Sequence, residues 1–236
     1  MVRRVLKLGM PTLARFQYQQ KAPDVQLEEI IHSFLRSHHY VLDAGCGTAS
    51  RAAAKGSCRM VVGVDCDRRI IGNPGVDSFV LACLDSLPFR DKTFDLIMSW
   101  MVVEHLNNPH QVFAEFSRVS KPGALVVLAT PNLRHYATRI TSLAPFCFQR
   151  WFLRYVLRGQ CECFPTRYRA NTPKKLAMMM ESQGFTTAEV RCIDDGPAYL
   201  DWMTLAYAAA LIYHRLVSHL GIFSYFRRVL IGVFQR

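Results

Sequence analysis

Residues 40–49 read Tyr-Val-Leu-Asp-Ala-Gly-Cys-Gly-Thr-Ala, an apolar run that ends in an acid and two closely spaced glycines. A strand that closes this way must turn sharply, and glycine lets its backbone approach a ligand without an intervening Cβ. Open α/β sheets bind ligands outside the carboxyl ends of their strands, near the point where strand order reverses. The spacing here is D-x-G-x-G, unlike the longer G-x-G-x-x-G dinucleotide fingerprint, and no P-loop lysine follows. A redox nucleotide enzyme and an NTPase are therefore disfavoured.

Further apolar runs bounded by turn residues follow at 60–65, 78–82, 94–99 and 124–130. Continuous rather than alternating apolarity suits strands buried on both faces, as in a parallel sheet. Residues 24–38 carry Leu27, Ile30, Ile31 and Phe34 on one helical face, with Asp24 expected as the N-cap. Residues 109–119 predict a second helix before Lys121-Pro-Gly. Strand and helix in alternation predict an α/β fold with a doubly wound, mostly parallel sheet, Rossmann-like in class.

Asp65 closes the run Met60-Val-Val-Gly-Val-Asp. A carboxylate after the second strand can accept hydrogen bonds from both ribose hydroxyls of a nucleoside ligand. Taken alone, the position equally suits a turn or helix-capping Asp, and Asp67 is a weaker candidate nearby. Leu84-Asp-Ser-Leu-Pro-Phe places Asp85 before a Pro turn, where it can accept from an adenine amino group while Leu84 and Leu87 pack near the ring. Alone, that segment reads as a surface loop.

Taken in order, these segments resemble the class I S-adenosylmethionine-dependent methyltransferases, especially their type 11 group. Val41-Leu-Asp-Ala-Gly-Cys-Gly matches the glycine motif and Gly63-Val-Asp65 the ribose acid. Leu84 to Phe89, followed by Phe94-Asp-Leu-Ile, matches the adenine loop and fourth strand, and Lys121-Pro-Gly-Ala-Leu the turn into the fifth. The resemblance implies S-adenosylmethionine as cofactor, with Asp43, Gly45 and Gly47 flanking its methionine part, Asp65 its ribose and Asp85 its adenine. Cys46, Cys66, Ser86, Leu87 and Ser99 complete the implied cofactor-binding set.

Ser99-Trp-Met-Val-Val-Glu-His-Leu looks like the segment after strand four in quinone-biosynthesis O-methyltransferases and small-RNA 2′-O-methyltransferases. Those often carry E-x-x-E-H around a divalent metal. Met101 stands here in place of the first Glu, leaving Glu104, His105 and His110, and no metal is assigned. A helix face closing over the cofactor explains Glu104-His105 equally well. Methyl transfer to an oxygen gains from proton removal by a positioned histidine. His105, with Glu104 beside it, is the first catalytic candidate and His135, shortly after strand five, the second.

Beyond residue 131 the composition shifts. Lys and Arg number 15 against 12 Asp and Glu in residues 1–130, and 14 against 6 in residues 131–236. Such a basic third can meet an anionic membrane, a phosphorylated substrate or nucleic acid. Nucleic acid is least favoured, because no recognised binding module accompanies the charge. Arg150, Arg154 and Arg158 recur every four residues among Phe148, Trp151, Phe152 and Tyr155. That pattern suits a helix at a membrane interface, a cap over the substrate or an ordinary packed helix. Tyr168 and Arg169 precede Asn171-Thr-Pro, where Thr172 is expected to cap a helix over 173–184; both could reach a substrate.

Residues 198–219 predict an apolar helix, and Arg228 to Phe234 a last strand in preference to an amphipathic helix. The chain divides into an N-terminal extension (1–23), the cofactor-binding core (24–132), a helical substrate region (133–185) and an end of the sheet with an inserted helix (186–236). Eight cysteines at irregular spacing predict reduced thiols and a cytoplasmic protein, peripheral on a membrane's inner face if the basic third engages lipid. The expected acceptor is a small or lipid-linked molecule, methylated on oxygen. The rivals are an RNA methyltransferase and a catalytically silent cofactor-binding or membrane scaffold.

Overall fold

The computed structural model describes residues 22–48, 54–70, 72–145, 164–194, 196, 197, 200 and 204–236. Among these residues seven strands form one sheet: β1 Tyr40–Ala44, β2 Met60–Asp65, β3 Ser78–Leu81, β4 Phe94–Trp100, β5 Ser120–Pro131, β6 Thr186–Ile193 and β7 Val229–Gln235. Their order is β3-β2-β1-β4-β5-β7-β6. All neighbours run parallel from β3 to β5, and β7 lies antiparallel between β5 and β6. The expected doubly wound, mostly parallel sheet is thus observed, and residues 229–235 form a strand as expected. Strand order reverses between β1 and β4, so the glycine turn after β1 sits at the switch point.

Adjacent residues in the central strands serve opposite faces, which explains their unbroken apolarity. Leu42, Val62, Ile97 and Leu128 join one core with Val112, Phe113 and Phe116 of α2 (Pro109–Val119) and Leu176 and Met180 of α4 (Pro173–Glu181). Val41, Val61, Leu96 and Val127 join the other with Leu27 and Ile31 of α1 (Pro23–Phe34). Two further helices are α3 (Tyr136–Leu143), which follows β5, and α5 (Thr204–His219), which lies within the apolar span expected at 198–219.

Two local expectations need correction. Asp24 is not the N-cap of α1; Ala22 is, without a side-chain cap, because Pro23 already occupies the first turn. That helix also stops at Phe34. The segment Lys121-Pro-Gly is not a separate turn before the fifth strand. It lies inside β5, where Gly123 takes a φ of +81° and the pairing with β4 shifts register. The cap on α4 is as expected, with Thr172 Oγ1 accepting from Lys175 N at 3.4 Å. Residues 146–158 lie outside the described residues.

The turn after β1 has little room. Gly45 has a φ of +78°, and a Cβ there would lie 2.3 Å from Val102 Cγ2. Gly47 has a φ of +51°, yet its Cβ would meet nothing within 4 Å. Gly45→Ala therefore combines left-handed backbone, about 1–2 kcal/mol, with overpacking of about 1–3 kcal/mol. Gly47→Ala carries only the first cost. Urea denaturation should show Gly45→Ala the less stable of the two, and equal midpoints would refute the steric account.

Candidate functional site

The carboxyl ends of β1, β2 and β4 are bound into one rim. Asp65 Oδ2 accepts from Gly47 N at 3.0 Å, and Oδ1 accepts from Asp67 N at the same distance. Asn73 Nδ2 donates to the carbonyls of Cys46 and Gly47 at 3.2 and 3.0 Å. Ser99 Oγ donates to Ala44 O at 2.8 Å, joining β4 to β1. Asp43 is buried just before the turn, while Gly47 leaves bare backbone against open space. An open, glycine-lined edge with a half-exposed carboxylate fits a ligand that carries a ribose.

Each expected cofactor residue has a defined setting. Cys46 is buried, and burial pushes its thiol up to about 12, so it packs as an apolar group. Cys66 is exposed beside Asp65, its thiol raised chiefly by partial burial. Asp85 and Ser86 are exposed on the loop after β3, whereas Leu87 is buried in the core. Arg118 clamps that loop. Its guanidinium donates to the carbonyls of Leu87 and Phe89 at 2.9 and 2.7 Å, and it pairs with Glu115 and Asp91. Glu115 Oε2 in turn accepts from Leu87 N at 2.8 Å. Arg118 was not singled out from the sequence; its position in the last turn of a surface helix carries no motif.

After β4 the backbone is strained. Met101 has a φ of +54°, an uncommon conformation for a residue with a Cβ. The turn Val103–His105 follows, and it buries Glu104 to 4% exposure. Thr130 Oγ1 donates to Glu104 Oε2 at 2.9 Å, and Asn171 Nδ2 donates to Thr130 Oγ1 at 2.7 Å. Burial raises the Glu104 carboxyl above its ordinary range, against the pull of His105. His105 is half-buried. Its Nδ1 lies 3.0 Å from Pro165 O, and a carbonyl can only accept, so the ring proton sits on Nδ1. Nε2 then keeps its lone pair, 3.9 Å from Glu104 Oε1.

The same loop holds the segment expected to meet substrate. Arg167 N and Tyr168 N both donate to Glu104 O, at 2.6 and 3.1 Å. Tyr168 has a φ of +49°, and burial raises its hydroxyl above the usual range. Arg169 is exposed, with its guanidinium on Asn107 O at 2.6 Å. His135, the second catalytic candidate, has a different setting. It is fully buried, caps α3 and lies beside Asp194 and His214. Burial drops its ring to about 3, so it stays neutral. Glu104, His105 and His110 are not gathered as metal ligands among the described residues. Sequence reasoning missed Thr130, Asp194 and His214, which are single polar residues inside apolar or turn-like stretches, and read Asn171 only as part of a helix-cap signal.

A family profile described as a methyltransferase domain matches residues 16–190 of this chain. A probable S-adenosylmethionine-dependent methyltransferase of Mycolicibacterium smegmatis is 31% identical over 144 residues, covering 58% of this chain and 55% of that protein. Norajmaline N-methyltransferase of Rauvolfia serpentina is 28% identical over 117 residues, covering 44% of this chain and 40% of the other. The chain thus spans about half the length of the curated relatives it matches. A solved S-adenosylmethionine-dependent methyltransferase from Archaeoglobus fulgidus superimposes with a TM-score of 0.58 at 18% identity, covering 90% of this chain and 92% of that one. With the profile spanning well over half of its length, the chain belongs to the methyltransferase-domain family, class I Rossmann-like proteins whose cofactor is S-adenosylmethionine.

Proposed function

We propose that this chain transfers a methyl group from S-adenosylmethionine to an oxygen of a small or lipid-linked acceptor, with His105 as general base. The observation that carries the reading is the Nδ1–H bond from His105 to Pro165 O, which leaves Nε2 able to take a proton at the carboxyl edge of β4. When bound, the cofactor supplies a sulfonium methyl, electrophilic enough that placement of the nucleophile governs the rate. Asp65 would hold the ribose, and the Arg118 clamp keeps the Asp85 loop in place for the adenine. His105 takes the acceptor hydroxyl proton on Nε2 as the oxygen attacks. Glu104, anchored through Thr130 and Asn171, fixes the turn that carries His105. Tyr168 and Arg169, tied to that loop, would contact the acceptor.

The lipid-linked character of the acceptor rests on the surface of α5. Leu205, Ile212 and Leu216 fall on one exposed face, with Leu205 88% accessible. Ile222, Phe223, Tyr225 and Phe226 extend the apolar surface past the helix, and Arg215 is exposed beside it. Apolar side chains flanked by arginine suit the interface of an anionic membrane. No helix among the described residues is long and apolar enough to cross a membrane, so the chain would lie on the surface by this face.

Calorimetric titration with S-adenosylmethionine tests the cofactor site. Asp65→Ala should weaken binding tenfold or more, about 1.4 kcal/mol, and a folded wild type that does not bind would sink the reading. With an acceptor in hand, His105→Gln should lower kcat about 10²–10⁴-fold while leaving cofactor affinity unchanged. An unchanged kcat would remove His105 from the chemistry. Sedimentation with anionic vesicles should retain the wild type and release an Ile212→Glu/Leu216→Glu variant.

Glu104 gives a pH test. Its folded carboxyl binds a proton more tightly than the unfolded one, whose ordinary value is 4.5. The stability this contributes is fully present below that value and is lost as pH rises through the folded one. Glu104→Gln retains an acceptor for Thr130 and cannot ionise. Its melting temperature should exceed that of the wild type at pH 8 and converge with it near pH 4; parallel curves would show that the carboxyl ionises as freely folded as unfolded.

A further inference from the structure

His135, Asp194 and His214 come from three separate elements and meet in the interior. His135 caps α3 after β5, Asp194 directly follows β6, and His214 lies on the buried face of α5 with Ala210 and Val217. The sheet explains the meeting. Pro131 of β5 and Ile193 of β6 both pair with Val229 of the intervening β7, so the two chains leave the same edge side by side. One ligand atom from each residue lies within 4.8 Å of the others. All three side chains are at most 1% exposed.

We propose that these three residues form a divalent metal site, selective for zinc, at the carboxyl edge beyond β5 and β6. Two imidazoles and a carboxylate are an ordinary zinc donor set, with bonds of about 2.0–2.2 Å and tetrahedral geometry. Tetrahedral bonds of that length put ligand atoms about 3.4 Å apart, so closing on an ion requires shifts on the order of 1 Å. Asp194 Oδ2 and His214 Nδ1 form an ion pair at 2.5 Å, which an ion would open to the ligand spacing while releasing the shared proton to solvent, and Asp194 Oδ1 accepts from Gly196 N at 3.4 Å. Among the described residues His135 Nε2 is buried without a hydrogen-bond partner, a cost that an ion removes. Coordination through Nε2 moves the ring proton of His135 to Nδ1 and gives up a long 3.3 Å contact from Ala137 N. Tyr136 and Tyr213 pack against the His135 ring, with centroids 4.4 and 5.5 Å away, and wall the cluster. Water fills the fourth position. The ion staples α5 to the sheet.

The full-length protein, purified without chelating resin or chelator, should carry about one zinc per chain by mass spectrometry. Chelation should lower its melting temperature, and adding zinc back should restore it. Cobalt substitution should give the visible absorption of a tetrahedral site. Asp194→Asn should weaken zinc binding at least tenfold, while His105→Ala and His110→Ala should retain the metal. Should Asp194→Asn not fold, metal content and cobalt spectrum of the wild type decide the matter. Wild-type protein that holds no zinc and takes up none on addition would overturn the proposal, as would metal lost with His105 and kept with Asp194→Asn. Cofactor titration reads the β1–β2 rim independently, so failure here leaves the methyltransferase reading standing.

Discussion

The Asp65 carboxylate is the tie on which the cofactor rim depends. Parallel strands end side by side, but nothing in their ladder fixes the loops that leave them. One oxygen of Asp65 takes the amide of Gly47 and the other takes the amide of Asp67, so a single side chain sets two loops at once. Backbone amides held by a charged acceptor make strong bonds. The glycine turn can then stay bare, with no side chain of its own facing the ligand. Asn73 supports the same turn from its other side through two carbonyls. The rim is thus tied by side chains below and left open at Gly47.

A second tie holds the loop after β4. Glu104, Thr130 and Asn171 form a buried chain of hydrogen bonds that joins the turn after β4, the end of β5 and the cap of α4. Buried polar groups are costly when left unpaired, and each bond made in this chain favours one arrangement of the loop. Met101, three residues before Glu104, and Tyr168, whose amide donates to Glu104 O, both have strained backbone. Strain persists where surrounding structure over-determines it. The two outliers therefore mark a loop held in place by its neighbours rather than by its own preferences.

Much of this fold is legible in residue order. Val41-Leu, Val61-Val, Leu96-Ile and Val127-Leu each send one side chain to either core, and that doubling is why the strands read as unbroken apolar runs. The glycine turn, Asp65 and the Asn171-Thr-Pro cap are local signals with local causes. Asp24 misled because an acid near a helix start resembles a cap, although Pro23 had already begun the helix. Arg118, Thr130, Asp194 and His214 were silent for another reason. Each matters through partners 26 or more residues away or through a neighbouring element, and no spacing rule within a segment encodes such a meeting.

The placement of β7 has a bearing on how the chain assembles. Among the described residues β6 has only β7 as a sheet partner, and β7 is made after it. The strands from β3 to β5 can pair as they emerge, since each finds its neighbour among residues already present. β6 must wait, its edge unpaired, until residues 229–235 slide between it and β5. Late, non-local pairing is slow and leaves a strand edge open to wrong partners. The half with the glycine turn thus takes shape early as a template, and β6 is sewn on by the last strand.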